Sequence, residues 1–242
     1  MSENATEKWG VEHRRRIYLM RHGEVDYFDP QGRAFRPEGV SLNAEGRRQA
    51  EAAARALADV PLDRAVSSGL PRSTETAALV LASRSLPIES RPDLREIETG
   101  RLREWAAATE QEVERLFRSA LTANVAETTR FLAGETFGSL RDRVVPCLQT
   151  LLAERGWRHL LIVAHGVVNR VLLSWVLHGG LAGLGALEQE AGCINLLDVD
   201  ETGRCLVRTV NYTPANPLKA GVHLTTMEQL YLQYCRGRSS PR

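Results

Sequence analysis

The sequence has little that would direct the chain to a membrane or to nucleic acid. Lys and Arg together number 31 and Asp and Glu 30, so the net charge is only +1 and creates no field that favours a polyanion or a charged bilayer. The longest apolar stretch, residues 167–187, is interrupted by Asn169, Arg170 and His178, which rules it out as a membrane span. We therefore expect no nucleic-acid or membrane partner, and an anionic ligand needs a local group of cations.

Metal-binding patterns are also missing. The four cysteines show no C-x-x-C spacing, and no H-x-x-x-H pattern occurs, so we predict no metal and no cofactor. If residues 200–203 form a hairpin turn, Cys205 lies opposite Asp198 and Cys193 opposite Val210, and these cysteines would not pair. Unpaired thiols and an N-terminus without the apolar core of a signal peptide predict a cytoplasmic location.

Short apolar runs alternate with helical patterns along most of the chain. Strands are predicted over residues 17–20, 62–67, 86–90 and 159–164, and a hairpin over 193–199 and 204–211. Helices are predicted over residues 44–58, with Asn43 as N-cap, and over 70–83, 103–123, 137–155 and 167–177. This order predicts an α/β fold, a three-layer α/β/α sandwich around a mainly parallel sheet.

The length of 242 residues fits one domain. We place that domain at residues 16–235, between a flexible segment at 1–15 and a disordered tail at 236–242. Two segments, 24–40 and 101–135, are expected to be inserted loops or caps, and a long loop is often functional.

Two predicted strands end in histidine followed by glycine. Residues 17–20 lead into Arg21-His22-Gly23, and residues 159–164 lead into His165-Gly166. Ligands of parallel sheets bind at the carboxyl ends of the strands. Arginine grips phosphate oxygens bidentately, imidazole N–H groups can donate to them, and a neutral histidine can be a nucleophile. A lone histidine is more often structural, but the repeated arrangement favours a phosphate site.

Five motifs follow one another in the order of a known family. They are Arg21-His22-Gly23, residues 41–50 (SLNAEGRRQA), residues 67–72 (SSGLPR), Leu94-Arg95-Glu96-Ile97 and Ala164-His165-Gly166. Across residues 17–211 the chain resembles the histidine phosphatase superfamily, in its phosphoglycerate mutase-like branch. A single tripeptide is a weak signal, whereas five in order are a strong one.

The resemblance implies a role for each matching residue. His22 would attack phosphorus and become a phosphohistidine, while Arg21, Arg72 and His165 would hold the phosphoryl oxygens. Glu96 would protonate the leaving oxygen and then deprotonate the attacking water. Glu98 lies on the same stretch as Glu96, and the Leu-Arg-Glu-Ile match favours Glu96. The alternative to a phosphate-binding role for Arg72 is a solvent-exposed side chain at the end of a helix.

Further substrate contacts are expected from Gly166, Glu24, Glu135 and Arg33. Glu24 continues the first motif, and Gly134-Glu135-Thr136 resembles a Gly-Glu-Ser element of the family, with a plain helix cap as the alternative. The 24–40 loop carries Arg33 and Arg36, and we hypothesise that it is a substrate-facing lid. The alternative is a solvated loop whose aromatic side chains pack on the domain.

These residues predict a metal-independent phosphomonoesterase that acts on a small phosphorylated metabolite. The chain departs from the family after Glu24, where a hydroxyl and an amide common in relatives are missing, and around Trp105, where little of a Gly-x-Trp-Glu-Gly stretch remains. A phosphomutase with the same phosphohistidine is the close alternative. An inactive relative that only binds phosphorylated ligands is a third.

Overall fold

The elements of the fold come from a computed structural model, which describes residues 13–29, 34–82, 84–100, 109–121 and 125–238. The strands are β1 (Arg15–Arg21), β2 (Arg64–Ser67), β3 (Ile88–Ser90), β4 (His159–Ala164), β5 (Ile194–Val199) and β6 (Cys205–Tyr212). The α-helices are α1 (Ala44–Ala56), α2 (Pro71–Leu81), α3 (Glu110–Ser119), α4 (Phe137–Ala153), α5 (Gly166–Val176) and α6 (Thr226–Arg238). In these parts of the chain no helix has the length and apolarity that crossing a membrane requires.

The six strands form one sheet in the order β3-β2-β4-β1-β5-β6. The first four are parallel, whereas β5 runs antiparallel to β1 and β6 antiparallel to β5. The prediction of an α/β fold with a mainly parallel sheet is therefore confirmed.

Alternating side chains of β1 belong to two separate cores. Ile17 and Leu19 lie in the core that includes residues of α4 and α5, while Tyr18 and Met20 lie in the core that includes residues of α1 and α2. Because successive side chains of a strand point to opposite faces, the sheet has helices on both sides. This is the predicted three-layer arrangement, and it explains why the central strands are apolar throughout.

The parallel strands β2, β4 and β1 end at the same edge of the sheet. Arg21 at the end of β1 pairs with Ala164 at the end of β4, and Ser67 at the end of β2 pairs with Val163. The residues that follow these three strands are therefore neighbours, although more than 90 positions separate Ser67 from Val163 in the sequence.

Local caps determine where two helices begin. The Asn43 side chain accepts a hydrogen bond from Gly46 N at 2.8 Å, which confirms it as the N-cap of α1. Helix α3 begins at Glu110, where Thr109 and Glu112 form a capping box, and residues 103–108 of the predicted helix lie outside the described residues.

The predicted boundaries at the two ends of the chain need correction. Arg15, assigned to the flexible segment, belongs to β1, is buried, and donates to the carbonyl oxygens of Leu152 and Glu154 at 2.7 and 2.6 Å. Helix α6, which we did not predict, continues to Arg238, so the boundary at 236 falls inside it. Residues 1–12 and 239–242 lie outside the described residues.

The hairpin register also differs from the prediction. Cys205 pairs with Val199 rather than with Asp198, because Gly203 adopts φ +86° and lets the turn hold one more residue. Irregularities in β5 shift the register further, so Ile194 pairs with Tyr212. The expected outcome for the cysteines holds, since Cys193 and Cys205 are both free thiols.

Candidate active site

His22 follows β1 and is 1% exposed. Its Nδ1 lies 2.7 Å from the carbonyl oxygen of Gly23, and since a carbonyl can only accept, Nδ1 carries the hydrogen. Nε2 of the neutral ring then holds the lone pair. Arg72 Nε lies 3.3 Å from His22 Nε2 and donates to it, which agrees with that tautomer. The free nitrogen of His22 therefore faces a guanidinium.

The charge state of His22 follows from its surroundings. Burial lowers its pKa well below the usual value, and the nearby cations Arg72 and Arg21 lower it further, against a smaller opposing effect of the Gly23 carbonyl. The imidazole is therefore neutral at neutral pH, which is the state in which its nitrogen can act as a nucleophile.

The turn after His22 is packed tightly against α1. A Cβ atom on Gly23 would collide with the Gly46 carbonyl, and one on Gly46 would collide with the Glu24 carbonyl. Thr76 of α2 accepts from Gly23 N at 3.1 Å and donates to the Arg72 carbonyl at 2.7 Å. Gly23 is thus required by the close approach of a helix, and the turn is fixed from two sides.

Arg72 lies in the first turn of α2 and is 1% exposed. Besides its contact with His22, its Nη1 donates to the carbonyl oxygen of Pro37 at 2.5 Å, and its Cζ lies 5.9 Å from the ring centre of Tyr27. The alternative of a solvated helix end is excluded, and the 24–40 loop contacts this guanidinium directly.

Arg21 is the last residue of β1 and directly precedes His22. Its Nη1 donates to the Gln189 carbonyl at 2.6 Å, whereas its Nε is buried without a hydrogen-bond partner in the described part of the chain. The guanidinium lies over Gly166, where a Cβ atom would be 3.5 Å from Arg21 Nε. A Cβ atom there would make an ordinary van der Waals contact with the arginine, so the predicted substrate contact of Gly166 stays a prediction.

His165 follows β4 and is the N-cap residue of α5. Its ring centre is 5.0 Å from that of His22, with an interplanar angle of 63°. Nε2 lies 2.7 Å from Ser68 Oγ, while Nδ1 is buried and has no partner among the described residues. Burial lowers the pKa of His165 well below its usual value, and Arg72, His22 and Arg21 lower it further.

The Glu96 carboxylate reaches the same edge of the sheet. Oε2 accepts from Val167 N, in the first turn of α5, at 3.3 Å, and Oε1 accepts from Ile97 N at 3.1 Å. Val167 is two residues after His165, so the carboxylate lies beside the second histidine. Glu98 is exposed, which agrees with the choice of Glu96 as the candidate acid.

Glu135 forms an ion pair with Arg143. Its carboxylate oxygens are 3.0 Å from Arg143 Nε and 2.9 Å from Arg143 Nη2, and Arg143 Nη2 also donates to the Glu96 carbonyl at 3.2 Å. Thr136, not Glu135, caps α4 through Ser139 N. The pair of Arg143 and Glu135 therefore anchors the Glu96 segment, and the predicted substrate contact of Glu135 stays a prediction.

The other residues predicted to contact the substrate belong to the 24–40 loop. The Glu24 carboxylate accepts from the Asn43 side chain at 3.1 Å and so ties the loop to α1. Arg36 is exposed. Arg33 lies outside the described residues, as does Trp105. The loop is also held by α6, where Gln233 accepts from Tyr27 N at 3.4 Å.

Sequence reasoning missed several supporting residues. Ser68 and Thr76 lie within or just after the motif around Arg72, but their contacts with His165 and Gly23 appear only in the fold. Gln189 and Arg143 belong to no motif, and they act on Arg21 and on the Glu96 segment. The signal that the sequence offered was the position of Ser68 directly after β2.

The two buried histidines are expected to make the protein sensitive to mild acid. Because their folded-state pKa values lie below the ordinary value, the unfolded chain takes up protons first as the pH falls through about 6.5. The free energy of unfolding should then fall by up to about 1.4 kcal/mol per pH unit for each histidine. Urea unfolding of wild type and His22→Gln between pH 7 and pH 5 measures this slope. An equal slope in both proteins would contradict the expectation.

Comparison with known proteins agrees with this geometry. A model of the histidine phosphatase superfamily (branch 1) matches residues 17–212. A probable phosphoglycerate mutase of Proteus mirabilis is 31% identical over 164 residues, covering 66% of this chain and 74% of that protein. The adenosylcobalamin/alpha-ribazole phosphatase of Salmonella typhimurium is 30% identical over 188 residues, covering 77% of this chain and 91% of that protein.

A solved structure shows the same fold. The mycobacterial glucosyl-3-phosphoglycerate phosphatase in complex with inorganic phosphate aligns with a TM-score of 0.65 and 26% identity, over 83% of this chain and 98% of that one. The predicted family and the predicted type of enzyme are both confirmed by these relationships. The chain belongs to branch 1 of the histidine phosphatase superfamily and is a histidine phosphatase.

Proposed function

We propose that this phosphatase hydrolyses monoesters of small phosphorylated metabolites through a phosphohistidine on Nε2 of His22. The observation that carries the proposal is the geometry of that ring: Nδ1 is bonded to the Gly23 carbonyl, which leaves the lone pair on Nε2, 3.3 Å from Arg72 Nε. Phosphoryl transfer asks a protein mainly for positioning and for stabilisation of charge. A fixed lone pair beside the buried Arg72 guanidinium supplies both.

In the first step Nε2 attacks phosphorus as the ester oxygen leaves. The P–O bond breaks, the N–P bond forms, and Glu96 gives its proton to the departing oxygen. Arg72, Arg21 and His165 hold the equatorial oxygens, where charge accumulates. The hydrogen bond from Nδ1 to the Gly23 carbonyl supports the positive charge that develops on the imidazole of His22.

In the second step water attacks the phosphohistidine. Glu96, now ionised, takes a proton from the water as its oxygen bonds to phosphorus, and the N–P bond breaks. Inorganic phosphate leaves, His22 is neutral again, and Glu96 is protonated for the next cycle. The Arg143 and Glu135 pair keeps Glu96 in reach by holding the backbone of its segment.

Glu96→Gln should slow the second step more than the first when the leaving group is a good one. With an aryl phosphate, departure needs little protonation, but water still needs a base. We expect kcat to fall about 10²- to 10³-fold while the fraction of enzyme carrying phosphohistidine rises. Rapid quenching during turnover measures both quantities. Glu98→Gln is the matched control, and equal effects of the two substitutions would contradict the assignment.

Metal independence and a cytoplasmic location belong to the same proposal. Within the described residues no three His, Cys, Asp or Glu side chains are grouped as a metal site, and arginines stand where a metal would otherwise balance phosphate charge. Cys147, Cys193 and Cys205 are free thiols, which suits a reducing compartment.

A phosphomutase would use the same phosphohistidine but pass the phosphoryl group to a second hydroxyl of a retained substrate. The chain has Val25 and Asp26 after Glu24, without the hydroxyl and amide that many relatives carry, which favours water as the acceptor. An inactive binding protein would be expected to lack part of the catalytic set, and here His22, Arg72 and His165 are buried together.

A substrate screen tests the proposed function. Wild type and His22→Ala are assayed with EDTA against sugar phosphates, phosphoglycerates, nucleotides and an aryl phosphate. Release of inorganic phosphate by wild type alone supports it. Activity that is lost with EDTA or that persists in His22→Ala contradicts the mechanism, and isomerised phosphoester without free phosphate indicates a mutase.

A further inference from the structure

Behind His165 lies a chain of two buried hydroxyl groups. His165 Nε2 is 2.7 Å from Ser68 Oγ, Ser68 Oγ is 2.7 Å from Ser73 Oγ, and Ser73 Oγ is 2.9 Å from the carbonyl oxygen of Leu70. The two serines and the histidine are all 0% exposed. The chain ends at the protein backbone.

Each hydroxyl has a single hydrogen, so the chain can run in only two directions. In the first, His165 Nε2–H donates to Ser68, Ser68 donates to Ser73, and Ser73 donates to the Leu70 carbonyl. In the second, Ser73 donates to Ser68, Ser68 donates to His165 Nε2, and the ring proton is on Nδ1. The Leu70 carbonyl also accepts from the backbone N–H groups of Ser73 and Thr74, both at 3.0 Å, so it keeps partners in either direction.

Hydrogen-bond counting selects the first direction in the free enzyme. It makes three bonds along the chain, whereas the second makes two and leaves a buried Nδ1–H that finds no acceptor in the described part of the protein, which is costly. The absence of a partner for His165 Nδ1 among the described residues agrees with a lone pair there.

A phosphoryl oxygen beside His165 Nδ1 reverses this preference. The first direction would set a lone pair against an anionic oxygen, while the second offers that oxygen an N–H and forms a charge-assisted hydrogen bond. The gain replaces the bond lost at the Leu70 carbonyl, which is still satisfied.

We propose that Ser68 and Ser73 are positioning residues that set which nitrogen of His165 carries the proton, and that the direction of their hydroxyl chain reverses when a phosphoryl group binds. This rests on the proposed function in so far as His165 faces the phosphoryl group. The number of protons on the ring stays at one: the ring releases the Nε2 proton and gains one at Nδ1 by exchange with water, while the two hydroxyl hydrogens rotate. His165 thereby donates to an anion while it remains neutral.

Nitrogen NMR of the full chain with ¹⁵N-labelled histidine distinguishes the two directions of the hydroxyl chain, because it shows which ring nitrogen of His165 carries the proton. His165→Gln and His22→Gln assign the ring signals, and inorganic phosphate is added until the His22 signals stop shifting. We expect the His165 proton on Nε2 without phosphate and on Nδ1 with it. The same nitrogen protonated in both states, or two protons on the phosphate-bound ring, overturns the proposal.

Activity provides the second measurement. Ser68→Ala should lower kcat about 10- to 100-fold, as is usual for a group that orients a histidine, with a smaller change in KM. Ser67→Ala is the matched control, because Ser67 is equally buried but contacts Thr74 and Gly69 instead, and it should stay within about twofold of wild type. Equal kcat values for the two variants overturn the positioning role.

The outcomes separate this inference from the function on which it rests. If phosphate leaves the His22 signals unchanged, the phosphate site itself is wrong. If the His22 signals respond and the His165 proton does not move, only the hydroxyl chain is wrong. The NMR experiment uses wild type, so it decides the matter even where Ser68→Ala fails to fold.

Discussion

His22→Gln is expected to lower kcat by about four orders of magnitude or more on every phosphoester that wild type hydrolyses. Glutamine is close to histidine in size and can still hydrogen-bond, but its amide nitrogen has no lone pair available for attack on phosphorus. The loss should lie in kcat, while the Arg72 and Arg21 guanidiniums still bind substrate. Initial rates with an aryl phosphate, measured over a wide range of enzyme concentrations, give the ratio.

The control for this change is His223→Gln. His223 is exposed and lies beyond the residues that match the family, so its substitution should leave kcat within about twofold of wild type. If His22→Gln keeps more than about a hundredth of wild-type kcat, a bound water could account for the reaction without a covalent intermediate, and the account given above is wrong.

Arg72→Met is the second change with a large expected effect. The guanidinium is 1% exposed and donates to His22 Nε2, so in the proposed mechanism it contacts the transferred phosphoryl group. Removing a buried charged donor from a phosphoryl-transfer site costs about 10³-fold in kcat/KM. Arg72→Lys restores the charge but not the planar fork, and should recover only part of the loss.

Arg72→Met should also change the pH dependence of kcat/KM. After burial, the Arg72 cation is the largest influence that lowers the pKa of His22, so without it that pKa rises. The acidic limb of the kcat/KM profile should therefore move to higher pH in Arg72→Met. Arg48→Met, at an exposed position on α1, should leave the profile in place. A shift in the opposite direction, or an equal shift in the control, would contradict the electrostatic role of Arg72.

The sequence predicted the centre of the site because its parts are local. A strand that ends in histidine and glycine can be read from a few residues, and the parallel arrangement of β1 and β4 then brings His22 and His165 together. Asn43 was predicted as a cap for the same reason, since its hydrogen bond reaches only to Gly46. The three layers followed from the alternation of strands and helices.

What the sequence did not predict depends on contacts across the fold. Ser68 meets His165 across 97 positions, and Arg143 meets Glu96 across 47, so no spacing indicates either contact. The predicted register of the hairpin is wrong because one glycine lengthens the turn. Helix α6 did have a local sequence signal. Thr225 and Glu228 have the Thr-x-x-Glu spacing that is typical of a capping box, and in the structure they form its reciprocal hydrogen bonds.

Trapping the covalent intermediate tests the central claim most directly. Wild type, Glu96→Gln and His22→Gln are mixed with an aryl phosphate, quenched in alkali within milliseconds, and digested for mass spectrometry. We predict an acid-labile phosphate on His22 in wild type, more of it in Glu96→Gln, and none in His22→Gln. Phosphate on another residue, or full turnover by wild type with no phosphate on His22, would contradict the claim.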